Sequence, residues 1–123
     1  MPFPASNDLV SAAEAQLGRS LPSDHRARLV ADNGGEIEAI EDDWQLFPVW
    51  DPTDRRTQGR TASHIVRENA GLRDWPGLPI GFVAIAANGT GDLLGLLPRT
   101  DEVHWFDHEQ RTVVPVAIDW KLT

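Results

Sequence analysis

The chain has 123 residues, a formal net charge of −8 and an apolar fraction of 41%, with five Trp, four Phe and neither Cys nor Tyr. That length suits one domain, and the lack of cysteine removes disulfides, thiol nucleophiles and cysteine-ligated zinc from consideration. No stretch approaches the roughly 20 apolar residues of a spanning helix, and the acidic balance repels nucleic acid while permitting a basic partner.

The start, MPFPASNDLV, has neither the basic nor the apolar region of a signal peptide, so the expectation is a cytoplasmic protein with no membrane association. SNDLVSAAEAQLG reads as a short amphipathic helix. Ser6 or Asn7 caps it, Leu9, Val10, Ala13 and Leu17 recur at helical spacing, and Gly18 ends it. LPSDHRARLVADNGG reads as a second helix, with Pro22 near its first turn and Leu21, His25 and Leu29 on one face. Asn33, Gly34 and Gly35 end it with residues that tolerate positive φ.

The period then changes. Ile37 and Ala39 alternate with Glu36 and Glu38, as in a half-buried strand, and WQLFPVW is a second apolar run in which Pro48 marks an edge or a strand end. DPTDRRTQGR reads as a polar loop. TASHIVRENAGLRDW reads as a third helix, capped by Thr61 or Ser63, with Ile65, Val66, Asn69, Leu72 and Trp75 on a broad face. FVAIAA, DLLGLLP, EVHWFDHE and TVVPVAIDW follow as four further strands, a closing helical turn being the alternative for the end of the last. The order α-α-β-β-α-β-β-β-β, with short turns, predicts a single α+β domain: a mostly antiparallel central sheet with helices packed on one side. Leu17, Leu29, Trp75, Ile85, Leu94 and Trp105 are the expected core.

Asn88, Gly89, Thr90, Gly91 and Asp92 lie between two of these apolar runs. A phosphate cradle needs a helix after the glycine-rich loop, and LLGLLP is too short for one. A calcium loop needs several oxygen ligands at fixed spacing, and Asp92 stands nearly alone. Asn-Gly between apolar runs is a hairpin signal, so Asn88, Gly89, Gly91 and Asp92 are assigned a structural turn.

LPSDHRARLVADNGGEI, WQLFPVWD, NGTGDLL and VHWFDHE, in this order and spacing, resemble the SUKH superfamily. That superfamily includes bacterial immunity proteins of polymorphic toxin systems and a fungal regulator of cell-wall synthesis. The resemblance implies an α+β fold and function by protein binding rather than catalysis, with the glycine-rich segment as a structural signature between strands. It implies a cognate toxin domain as partner, a basic nuclease among the candidates. The chain departs from the family pattern in its second helix, where aromatics belong near the positions of His25 and Arg28.

His104, Asp107, His108 and Glu109 invite a metal reading, but on a strand the two histidines stand about 13 Å apart. A turn at Asp107 would be needed to bring them to one ion. Ser63 and His64 are adjacent on a helix, where neighbouring side chains diverge, and no G-x-S-x-G is present. No catalytic set, metal set or cofactor motif is therefore assigned. Glu36, Glu38, Glu41, Asp42 and Asp43 fall within eight residues. Glu36 and Glu38 share a strand face, and the others cluster at the next turn. They read either as a charged edge that blocks aggregation or as a docking surface for a basic partner. Trp44 and Trp50 flank the next strand, and one is expected in the core and one partly exposed as an anchor.

The expectation that results is a cytoplasmic immunity protein, a monomer or weak homodimer, that neutralises a toxin stoichiometrically without contacting nucleic acid itself. A regulatory domain linked to cell-wall synthesis is the alternative, and a small metal-dependent hydrolase the third reading.

Overall fold

The computed structural model describes residues 2–121. The first two helices are α1, Asn7–Leu17, and α2, Ser23–Ala31. Ser6 caps α1, its hydroxyl accepting from the Leu9 N–H at 3.2 Å, and Gly18 at φ 77° closes the other end. Pro22 stands at the N-cap of α2 rather than inside its first turn, and no side chain caps that end. Leu21, His25 and Leu29 are all buried.

Two strands come next, β1, Glu36–Ala39, and β2, Asp42–Leu46. Ile37 and Ala39 point inward while Glu36 and Glu38 face solvent. The segment read as a polar loop contains a helix, α3, Arg55–Arg60, which the low apolar content concealed. It is held by a local reciprocal cap: the Asp54 carboxylate accepts from the Thr57 N–H and the Thr57 hydroxyl accepts from the Asp54 N–H.

The next helix, α4, is Ile65–Gly71. Neither Thr61 nor Ser63 caps it; His64 does, its Nδ1 accepting from the Arg67 N–H. Thr61 is buried instead, its hydroxyl donating to the Thr57 carbonyl and accepting from the Asp51 N–H. Because α4 ends at Gly71, Trp75 lies beyond its apolar face, on a turn leading to Pro76 and Gly77. It is 40% exposed and is not core. Leu29, Ile85 and Leu94 are fully buried, and Leu17 and Trp105 are only partly so.

Four strands complete the chain: β3, Val83–Ala87; β4, Leu93–Leu96; β5, Val103–Asp107; and β6, Thr112–Pro115. All six strands form one antiparallel sheet in sequence order, β1 to β6. Short turns between successive apolar runs dictate this meander, since each strand's nearest partner is the next one in sequence. α1, α2 and α4 form one layer, with α4 on β3 and α1 against α2 and α4. This is the α+β arrangement expected of the strand and helix order.

Two asparagine amides complete the layer junctions. Asn33, after α2, donates to the Val49 carbonyl and accepts from the Val49 N–H. Asn69, on α4, does the same for Ala84 of β3. Each stands in for a strand neighbour where the chain has turned away from the sheet.

Candidate functional site

The β1–β2 connection is a two-residue turn, because Ala39 pairs with Asp42. Ile40 and Glu41 occupy it at φ 54° and 57°. This turn matches the right-handed twist of the strands but suits Gly and Asn far better than a β-branched residue. Ile40 is nonetheless 45% exposed at the tip, so apolar burial does not repay its strain.

Carboxylates surround that tip. Glu36, Glu38 and Asp43 project from the solvent face of the hairpin, and Glu38 lies directly opposite Asp43. Opposed like charges weaken a strand pair. None of Glu36, Glu38, Glu41, Asp42 and Asp43 has an ion-pair partner among the described residues. Asp42 and Asp43 open β2 rather than sitting in the turn.

The antiparallel registers bring two more turns to the same end of the sheet. Gln45 pairs with Ala87, so residues 88–92 emerge beside the start of β2. Leu93 pairs with Phe106, so the turn after Asp107 emerges beside them in turn. The Asn88 amide donates to Asp42 at 3.1 Å, linking the first two turns. Its own carbonyl oxygen accepts from the Thr90 N–H and hydroxyl. Gly89 and Gly91 follow at φ 84° and 103°.

Asp92 links the second turn to the third. One oxygen accepts from the His108 N–H at 3.0 Å and pairs with His108 Nδ1 at 2.5 Å; the other accepts from Trp105 Nε1 at 3.1 Å. The hydrogen bond to Asp92 raises the His108 pKa above the ordinary imidazole value. Burial pushes Asp92 upward, but the bonds from His108 and Trp105 together hold its carboxyl below the ordinary range. The two shifts describe one ion pair with opposite signs.

The turn at Asp107 brings Asp92, Asp107 and His108 together, with ligand atoms within 4.8 Å of one another. The donors on the page fit a clasp better than a metal centre. Asp92 already accepts three hydrogen bonds, His108 Nδ1 is committed to Asp92, and an Asp107 oxygen accepts from the Glu109 and Gln110 N–H groups. His104 is not part of this cluster: it sits mid-strand opposite Gly95, with its Nδ1 against the Glu102 carbonyl.

What results is an acidic rim of three turns, carrying Glu41, Asp42, Asp43, Asp92, Asp107 and Glu109. Sequence reasoning found the first three from their run. It weighed Asp107 and Glu109 with His104 and His108 as a metal set without assigning one, and it did not single out Ile40. The clue was available, since in a meander every second turn falls at the same end of the sheet.

The two flanking tryptophans do not join this rim. Trp44 is 2% exposed and its Nε1 donates to the Ala39 carbonyl, so it is a core residue that braces the hairpin from inside. Trp50 is 39% exposed, but it lies on the helical side, its ring 5.3 Å from that of His64 and bordering a cleft with Leu9 and Val66. No helix among the described residues is long and apolar enough to cross a membrane.

At the far end of the chain, Trp120 stacks on the buried His25 at 5.1 Å.

A model of the SMI1 / KNR4 family (SUKH-1) matches residues 4–121. Neither a curated protein nor a solved structure matches the chain.

Proposed function

Because this chain belongs to the SMI1 / KNR4 family (SUKH-1), we propose that it is an immunity protein that neutralises a basic toxin domain, such as a nuclease, by stoichiometric binding. Family membership supports a protein-binding role of the immunity or regulatory kind. The observation that carries the finer reading is the acidic rim, with the run from Glu36 to Asp43 left without ion partners among the described residues. Unneutralised charge gathered at one end weakens the fold locally, and it speeds encounter with a partner of opposite sign. Ile40 adds an exposed apolar tip at the centre of that charge, in a strained conformation of the sort that accumulates at functional surfaces. In this reading the protein works in the cytoplasm of the toxin-producing cell, without cofactor or turnover.

The test is association kinetics with a cognate toxin domain, at several salt concentrations. Association slows as salt rises, because screening acts over about 8 Å at physiological ionic strength. The combined variant Glu38→Gln, Glu41→Gln, Asp43→Asn flattens that slope and spares Asp42, which holds Asn88. A salt-independent association rate removes the rim from the interface. Neutralisation at far below one molecule per toxin overturns stoichiometric binding itself.

A further inference from the structure

We infer that the outer edge of β1 is a docking surface for a basic, extended segment of the partner, and that residues 118–121 are the chain's own occupant of it. β1 is an end strand of the sheet. The Gly35 carbonyl accepts from Leu46 of β2, so strand alternation directs the Glu36 and Glu38 carbonyls away from the sheet. Neither is met by a true strand. The Glu36 carbonyl accepts from the Arg28 guanidinium of α2 at 3.1 Å, and the Glu38 carbonyl accepts from the Asp119 N–H at 3.0 Å. Glu38 and Asp119 form a single isolated bridge.

The covering segment is also anchored by Ile118 and Trp120, both partly buried against the core. Trp120 stacks on His25 with an interplanar angle of 15°. His25 is fully buried there, and neither ring nitrogen has a hydrogen-bond partner among the described residues. A cleft remains between the segment and α2, lined by Asp24, Ala27, Ala31 and Arg28, the last buried with its charge turned to Asp32. A backbone segment already bridges to β1 in this position, so the groove between α2 and β1 admits one. An incoming strand supplies a backbone donor to Glu38 in place of the Asp119 N–H and adds pairing along β1. Glu36, Glu38 and Asp24 are exposed and without ion partners among the described residues, which selects lysine or arginine in that strand.

The inference rests on the chain being a binder of a basic protein, but its test is separate from the salt dependence of the rim. The probe is a blocked eight-residue peptide of alternating Lys and Val, titrated into the isotopically labelled full chain and followed by amide chemical shifts. The control is the same peptide with Glu for Lys. Asp119→Pro removes the N–H that reaches Glu38, and Trp120→Ala removes the stack while leaving the backbone donor in place. The Lys/Val peptide shifts the amides of β1 and of residues 118–121. Either variant binds it about tenfold more tightly than the unaltered chain, the effect of removing one competing hydrogen bond or ring contact. The Glu/Val peptide leaves these amides unmoved. Shifts confined to the turns of the acidic rim, equal binding of both peptides, or no gain in either variant overturns the edge as a docking surface. A flat salt slope with a positive peptide result instead faults the rim and leaves the edge standing.

Discussion

Asn69 holds Ala84 as a neighbouring strand would, donating from Nδ2 to the Ala84 carbonyl and accepting at Oδ1 from the Ala84 N–H, both at 2.8 Å. β2 leaves the sheet after Phe47 bonds to Ile85, so this amide continues the ladder from a helix. Asn69→Ala leaves a backbone donor and acceptor unpaired at a fully buried residue. The expected cost is about 1–3 kcal/mol, read as a lower urea midpoint at unchanged slope. A variant with the native midpoint would show that water replaces the amide freely.

Gly91 and Gly89 both have positive φ, but only Gly91 is crowded. A Cβ there meets the His108 ring at 3.0 Å, whereas one on Gly89 meets nothing within 4 Å. Gly91→Val is expected to destabilise by about 1–3 kcal/mol for the forced backbone alone. It should cost more than Gly89→Val, because it also displaces His108 from Asp92. Equal losses in parallel denaturation curves would remove the His108 contact from the explanation.

Trp44 and Trp50 separate stability from the α1–α4 face. Trp44→Ala empties a buried site and removes the indole hydrogen bond to the Ala39 carbonyl, so a loss of about 3–5 kcal/mol is expected. Trp50→Ala, at a 39% exposed ring, is expected to lower stability far less. Since Trp50 lies away from the acidic rim, its loss should leave the salt slope of partner association unchanged. A changed slope on Trp50→Ala would place the partner across both faces.

Burial, helped by the charges of Arg19 and Arg28, lowers the His25 pKa from 6.5 to about 3. The unfolded chain therefore takes up a proton that the folded chain refuses between those values. Stability is expected to fall as pH drops from about 6.5 toward 3. His25→Leu, which does not titrate, should flatten that part of the profile. His108 acts in the opposite sense. Its raised pKa gives stability that is present at lower pH and lost as pH rises through its folded value. Asp92, with a lowered pKa, gives stability that is lost as pH falls through its own folded value. Thermal unfolding across pH 3–8 of the native chain, His25→Leu and His108→Gln resolves these contributions. An unaltered profile in His25→Leu would refute the buried neutral imidazole.

Much of the fold is written in local signals. Ser6 and Gly18 bracket the first helix because capping is a contact between near neighbours. Glu36, Ile37, Glu38 and Ala39 alternate because one face of their strand meets the core and the other meets water. The run of strands with short turns determined the antiparallel meander, and the clustered carboxylates announced an acidic hairpin. α3 escaped notice because its stability comes from the Asp54–Thr57 cap rather than from an apolar stripe. Trp75 was misplaced because a helical period was carried four residues past the end of α4. Only the tertiary structure decided which of Trp44 and Trp50 is buried, that Asp92 grips His108, that Asn69 completes the sheet at Ala84, and that Trp120 covers His25. Each of these joins positions set by strand register and layer packing rather than by nearby spacing. A periodic pattern says which face of an element is apolar. What lies against that face depends on how the whole chain closes over it.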